Sequence, residues 1–233
     1  MATTLDPGLA ERRPRSEEVE RRLKDTYGTI AWRCHGEPLS ELVGTVLSQH
    51  TSDINTARAY SSLRSSLPTW EEVRSAPTAR VEEAIRCGGL AQTKARRLQD
   101  ILDAVLQRQG VLSLDGLKSM GLEPARTFLL RLPGVGPKTA ACVLLFSLGL
   151  PALPVDTHVH RVALRLGLIP DGTTAGAAHP RLEAQLGGDR DRVYAFHMNA
   201  IAHGRAICRA RVPSCPRCPL QECCDYFIRS GRG

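Results

Sequence analysis

The sequence predicts an all-α protein. Three observations carry that expectation: apolar residues recur at helical spacing along most of the chain, capping residues and glycines punctuate those runs, and no segment alternates apolar and polar residues between turn signals. In chain order, residues 1–15 are rich in Pro, Gly and Arg without periodicity and read as a flexible lead. Ser16 can cap a helix that aligns Val19, Leu23 and Tyr27 before Gly28 stops it. A helix over 52–67 follows, and the run Thr69 to Glu72, TWEE, is a capping box that opens the next. From Thr93, the positions Ala95, Leu98, Ile101, Leu102, Val105 and Leu106 define the clearest amphipathic helix of the chain, ended by Gly110. Further helices are expected over 123–130, 138–148, 157–166 and 192–202.

The stretch GLPALPVD, 149–156, sets two prolines between long helices, and its apolar side chains suit a packed crossover between two helical lobes. No repeat of 20 to 50 residues is visible, which argues against a solenoid. The 233 residues carry a net charge of +7, with a pI near 9.2. The arginines are spread along the whole length, so the charge belongs to a folded surface that meets polyanions, nucleic acid first, although a basic balance also serves plain solubility. No run of eighteen apolar residues and no signal-peptide pattern occurs, so an intracellular chain with no membrane partner is expected.

Residues 132–140, LPGVGPKTA, place two glycines and two prolines between apolar runs. A helix ending at Leu132, a tight Gly134–Val135–Gly136 turn and a helix opening at Pro137 make a helical hairpin, with proline at a first position that needs no amide. The free N–H groups of the turn, at the positive end of the helix dipole, suit a phosphate oxygen; an ordinary helix corner has the same sequence needs. Lys138 sits in the first turn of that second helix, where a positive charge is disfavoured. It is one of only four lysines. An anion contact or a role as a neutral amine would explain the position, and a solvated lysine would merely tolerate it.

Near the C-terminus, Cys208, Cys215, Cys218 and Cys224 are separated by six, two and five residues, with Cys223 an extra neighbour. Such density in a proline-studded loop is metal-ligand spacing. One Cys-x-x-Cys flanked by single cysteines suits an iron–sulfur cubane in one compact loop, with structural zinc the alternative. Cys34, Cys87 and Cys142 are scattered and read as buried small hydrophobes.

LPGVGPKTA, then PVDTHVHRV, then the six, two, five cysteine spacing, in that order, resemble the helix-hairpin-helix DNA glycosylases and their endonuclease III branch. The resemblance runs from about residue 16 to the end. It implies a six-helix barrel over 31–150 carrying the hairpin, and a lobe with a 4Fe-4S cluster on those four cysteines, built from 16–30 plus 151–233. It implies that Lys138 is the nucleophile and Asp156, eighteen residues on, the essential carboxylate; Asp156 is equally well placed to cap the helix DTHVHRVALRLG. His158 and His160 read as structural or DNA-facing.

Family members fill the gap left by an extruded nucleotide with a Gln from one loop and a Leu from another. Leu90 in GGLAQTKA matches the second. In LSQHTSD, the frame set by Ser48 and Asp53 puts His50 at the first position, with Gln49 just before it: a departure, or a one-residue shift in register. Arg209 and Arg211, between the first two cysteines, are expected to meet phosphates. The implied function is removal of oxidised pyrimidines from double-stranded DNA, through a lysine Schiff base, with cleavage at the abasic site by β-elimination. A monomer in the cytoplasm, on the nucleoid, is expected. The alternatives are an adenine-specific mismatch glycosylase, which carries a small hydroxyl residue where this chain has Lys138 and usually continues into a further domain, and a non-catalytic DNA-binding module.

Overall fold

A computed structural model describes residues 7–230. Among them every regular element is helical, in agreement with the all-α expectation, and no helix is long and apolar enough to cross a membrane. The chain divides into two compact units, one of residues 34–150 and one of residues 1–33 with 151–233.

The continuous unit holds α2 (Pro38–Leu47), α3 (Asp53–Ser66), α4 (Trp70–Ser75), α5 (Thr78–Ala84), α6 (Ala91–Gln109), α7 (Leu117–Met120), α8 (Leu122–Leu130) and α9 (Pro137–Cys142). Ser52 caps α3 through the amide of Asn55, and Thr69 caps α4 through that of Glu72. The long helix α6 lays Ala95, Leu98, Ile101, Leu102 and Val105, all fully buried, against α4 and α5, and Gly110 ends it in the left-handed conformation. The helix expected over 138–148 is α9 continued by a π-helical turn, Val143–Ser147, whose five residues are all buried. Helix α2 packs on α3, α9 and that π turn. Seven of its ten residues are buried. Its three unburied residues, Ser40, Glu41 and Gly44, share one face, but the helix is short and no side chain caps its start, so few signals marked it in the sequence.

The second unit joins the chain ends: α1 (Pro7–Tyr27), α10 (Thr157–Leu166), α11 (Ala175–Leu186), α12 (Arg190–Ala206) and α13 (Asp225–Arg229). Helix α1 packs on α11 and α12, and α10 on α12 and α13. Ion pairs cross-link the two ends of the chain, Glu20 to Arg192 at 2.8 Å and Arg15 to Asp225 at 2.5 Å.

Several expectations need correction. Helix α1 begins at Pro7 rather than at Ser16, which is buried within it, so residues 7–15 are not a flexible lead; residues 1–6 lie outside the described residues. Helix α11 was hidden by Gly176 and by Pro180, which it carries internally. Cys34 and Cys87 are exposed; only Cys142 is buried as expected. Cys34 follows the unit border and Cys87 lies in a short 3-10 turn.

Candidate active site and DNA interface

In the continuous unit, the amide of Val135 bonds the carbonyl of Leu132 at 3.2 Å and closes the hairpin turn. Gly134 has φ +69°, and a Cβ there would lie 2.5 Å from Nε of Arg97, so both backbone and space require glycine. The side chain of Val135 is buried, which leaves the turn to offer backbone only. Extended Gly136 is the N-cap of α9, Pro137 its first residue, and no side chain caps it. Lys138 is half-buried in the first turn.

Glu41 of α2 lies near this amine. Burial raises its pKa, while His35, Thr45 and the charge of Lys138 oppose that rise. Its carboxylate accepts from Oγ1 of Thr45 at 3.3 Å and stands 3.6 Å from Nδ1 of His35, whose ring stacks on Phe146 with centroids 4.7 Å apart.

Among the described residues two other than glycine take the left-handed conformation, His50 with φ +55° and Leu90 with φ +50°. Both are exposed, Leu90 by 58%. Gln49, by contrast, is half-buried and its Oε1 accepts from Arg97 at 2.9 Å. Of the two residues between which the sequence left the register open, His50 is exposed and Gln49 is held by Arg97.

In the split unit, Asp156 is the N-cap of α10, and its Oδ1 accepts from the amides of His158 at 2.9 Å and Val159 at 2.7 Å. Both bonds fall on one oxygen, Oδ1. Both following histidines are hydrogen-bonded within the unit: Nδ1 of His158 pairs with Arg161 at 3.1 Å and Nε2 of His160 with the carbonyl of Thr173 at 2.7 Å. Lys138 and Asp156 thus belong to different units.

Cys208, Cys215, Cys218 and Cys224 line one cavity of about 380 Å³, counting space open to solvent, with Val162, Leu166, Ile207 and Phe227 among its walls. All four are free thiols. Burial pushes the pKa of Cys218 up to about 11, with the other three cysteines adding to the rise, and burial likewise raises that of Cys224. Among the described residues no three His, Cys, Asp or Glu side chains are arranged to hold a single metal ion; the four cysteines share the lining of one cavity. Cys223 is not part of that lining and points its Sγ at the carbonyl of Leu220.

Sequence reasoning missed three residues around this cavity. Arg165 donates to Sγ of Cys208 at 3.3 Å and to the carbonyls of Arg209 at 2.7 Å and Ala210 at 2.9 Å. Arg161, one turn earlier, donates to the carbonyls of Cys208 and Gly204, both at 2.9 Å. His203 places Nε2 3.6 Å from Sγ of Cys218, and burial pushes its pKa down to about 4. The only sequence signal was the i, i+4 spacing of the two arginines. The loop they mould carries Arg209 and Arg211, both exposed.

Residues 43–185 match the model of the HhH-GPD superfamily of base excision DNA repair proteins. The chain belongs to this superfamily. It is 34% identical over 200 residues to endonuclease III of Thermotoga maritima, covering 84% of this chain and 87% of that protein. It is 33% identical over 187 residues to endonuclease III of Rickettsia conorii, covering 80% and 83%. Among solved structures it resembles a trapped endonuclease III–DNA covalent intermediate, with TM-score 0.78, 27% identity, and coverage of 94% and 98%. A non-covalent endonuclease III–DNA complex gives 0.77, 28%, 95% and 99%. This HhH-GPD protein is therefore a DNA glycosylase of base excision repair.

Proposed function

We propose that the chain is a bifunctional DNA glycosylase and AP lyase that removes oxidised pyrimidines from duplex DNA, with Lys138 as nucleophile and Asp156 as its carboxylate. The observation that carries this is a lone lysine in the first turn of an uncapped hairpin helix, in a chain a third identical to endonuclease III along most of its length.

The neutral amine of Lys138 attacks C1′ of the damaged nucleoside, and the glycosidic bond breaks with its electron pair going to the base, which takes up a proton. Opening of the sugar ring at O4′ leaves a Schiff base between Nζ and C1′. Loss of a proton from C2′ then expels the 3′ phosphate, cutting the strand by β-elimination, and water releases the lysine. Oδ2 of Asp156 would stabilise positive charge growing on the sugar or accept the proton of Lys138, while Oδ1 keeps α10 capped. The amides of Gly134 and Gly136 would hold a phosphate, and Leu90 and His50 would enter the vacated stack.

Cys208, Cys215, Cys218 and Cys224 would hold a 4Fe-4S cluster, which when bound supplies rigidity to the loop bearing Arg209 and Arg211 rather than reaction chemistry. The enzyme would act as a monomer in the cytoplasm, on the nucleoid, with the unit spanning 34–150 as the barrel domain and the rest as the cluster domain.

Borohydride reduction during turnover on a duplex with one oxidised pyrimidine tests the reading. The parent should give a covalent protein–DNA adduct and Lys138→Met none. Parent protein that yields no adduct, or that releases adenine opposite oxidised guanine while ignoring pyrimidine lesions, would overturn it.

A further inference from the structure

The chemistry above has no use for the buried amine of Lys94 or the guanidinium of Arg97, three residues on along α6. Lys94 is 2% exposed. Its Nζ donates to the carbonyl of Leu47 at 2.7 Å and to that of Gly88 at 2.9 Å. Leu47 is the last residue of α2 and leads straight into the turn that carries His50; Gly88 stands two residues before Leu90. Burial lowers the pKa of this amine, yet a cation at the C-terminal end of a helix is favourably placed.

Both turns hold a non-glycine residue in the left-handed region. Such a residue is strained and persists only when its surroundings impose it. Arg97 adds a second tie. Its NH1 holds Oε1 of Gln49 at 2.9 Å, and its Nε and Cδ fill the space that the missing Cβ of Gly134 leaves open. One helix therefore fastens three turns, and in doing so turns Gln49 back while His50 stays exposed.

We propose that Lys94 and Arg97 are positioning residues that lock the His50 turn, the Leu90 turn and the Gly134 turn into one reading head, presenting His50 rather than Gln49 to the base opposite the lesion. The proposal rests on the DNA glycosylase reading above.

Two arms test it. The first measures single-turnover base release from duplexes with one lesion opposite each of the four bases, beside strand cleavage at a preformed abasic site, where no base needs extruding. Lys94→Met should slow base release at least tenfold more than abasic-site cleavage, and Lys94→Arg, which keeps the donors, should restore most of the difference. His50→Ala and Arg97→Met should each reduce partner-base preference at least fivefold, and the double variant no further than the stronger single one. The second arm follows 2-aminopurine fluorescence opposite a tetrahydrofuran abasic analogue, which needs no chemistry; the enhancement on binding should fall at least twofold in both single variants. If Lys94→Met does not fold, the half-buried Arg97 decides alone. Equal slowing of both reactions by Lys94→Met, multiplying effects in the double variant, or a parent without partner-base preference would overturn the proposal. A parent that releases no base but shows the fluorescence pattern would sink the enzymatic reading and spare the brace.

Discussion

Residues 34–150 are continuous in sequence and close on aliphatic side chains, with Leu42, Val46, Leu63, Leu98, Ile101, Leu102 and Leu129 all fully buried. Residues 1–33 and 151–233 come from opposite ends of the chain and close differently. Their buried set includes His179, Gln185, His197, Asn199 and His203, their helices are cross-linked by ion pairs, and four thiols line a cavity where other folds place leucines. Two charged hydrogen-bonding groups, Arg161 and Arg165, hold the loop after α12 by its carbonyls. The contrast is one of degree: the unit with the proposed nucleophile closes mainly on aliphatic side chains, with the buried Lys94 among them, whereas the unit with the proposed carboxylate adds more directional bonds and whatever the thiols bind.

The strongest way to break that comparison is to remove one thiol. Cys218→Ser should abolish iron retention and the visible absorbance of the cluster, and hydrogen exchange should show loss of protection in α10, α12 and α13 with α6 still protected. Leu98→Ala, which empties volume in the aliphatic core, should do the reverse: about 3 kcal/mol lost from the continuous unit with iron retained. Equal loss of protection in both units after Cys218→Ser would mean that the units are not distinct in what holds them.

How much of this was legible in the sequence follows the same division. Helix α6 could be read residue by residue, because one face is apolar and the other wet, and the hairpin was legible because glycine at φ +69° and proline at a first helical position have few alternatives. The cysteine spacing picked out four residues that line one cavity. Helix α2 was invisible because it is short and starts without a capping side chain, and α11 because proline and glycine read as breakers. The ties made by Lys94, Arg97 and Arg165 were invisible for another reason: each joins residues far apart in sequence, and a lysine among polar neighbours reads as a solvated side chain until its carbonyl partners are seen.

A finer separation within the split unit comes from Asp156, which serves as cap and as proposed catalytic group at once. Asp156→Asn retains a side-chain oxygen for the amides of His158 and Val159, so the melting temperature should stay near the parent value while base release falls about 10²–10³-fold. Asp156→Ala should lose the same activity and about 1 kcal/mol of stability besides. If Asp156→Asn retains parental base release, the carboxylate is a cap alone. Smaller still is the contribution of the loop arginines: Arg209→Ala and Arg211→Ala should each flatten the slope of log binding constant against log salt by about 1, with abasic-site cleavage at saturating DNA unchanged. A slope that does not move would take this loop off the DNA.

The smallest effect returns to the continuous unit, where the one half-buried carboxylate near Lys138 offends the rule of apolar closure. Because burial raises the folded-state pKa of Glu41 above its ordinary value, ionising it in the folded protein opposes stability. The sign follows directly: the penalty is absent below the ordinary carboxylate range, grows as pH rises between the unfolded and folded values, and is fully present above the folded one. Glu41→Gln should therefore raise the melting temperature slightly at neutral pH, and the gain should vanish as pH falls through the carboxylate range. A gain that persists in acid would assign it to packing against Thr45 instead, and a loss at neutral pH would mean that attraction to His35 and Lys138 outweighs burial. In that last case the continuous unit, too, would owe part of its stability to charge.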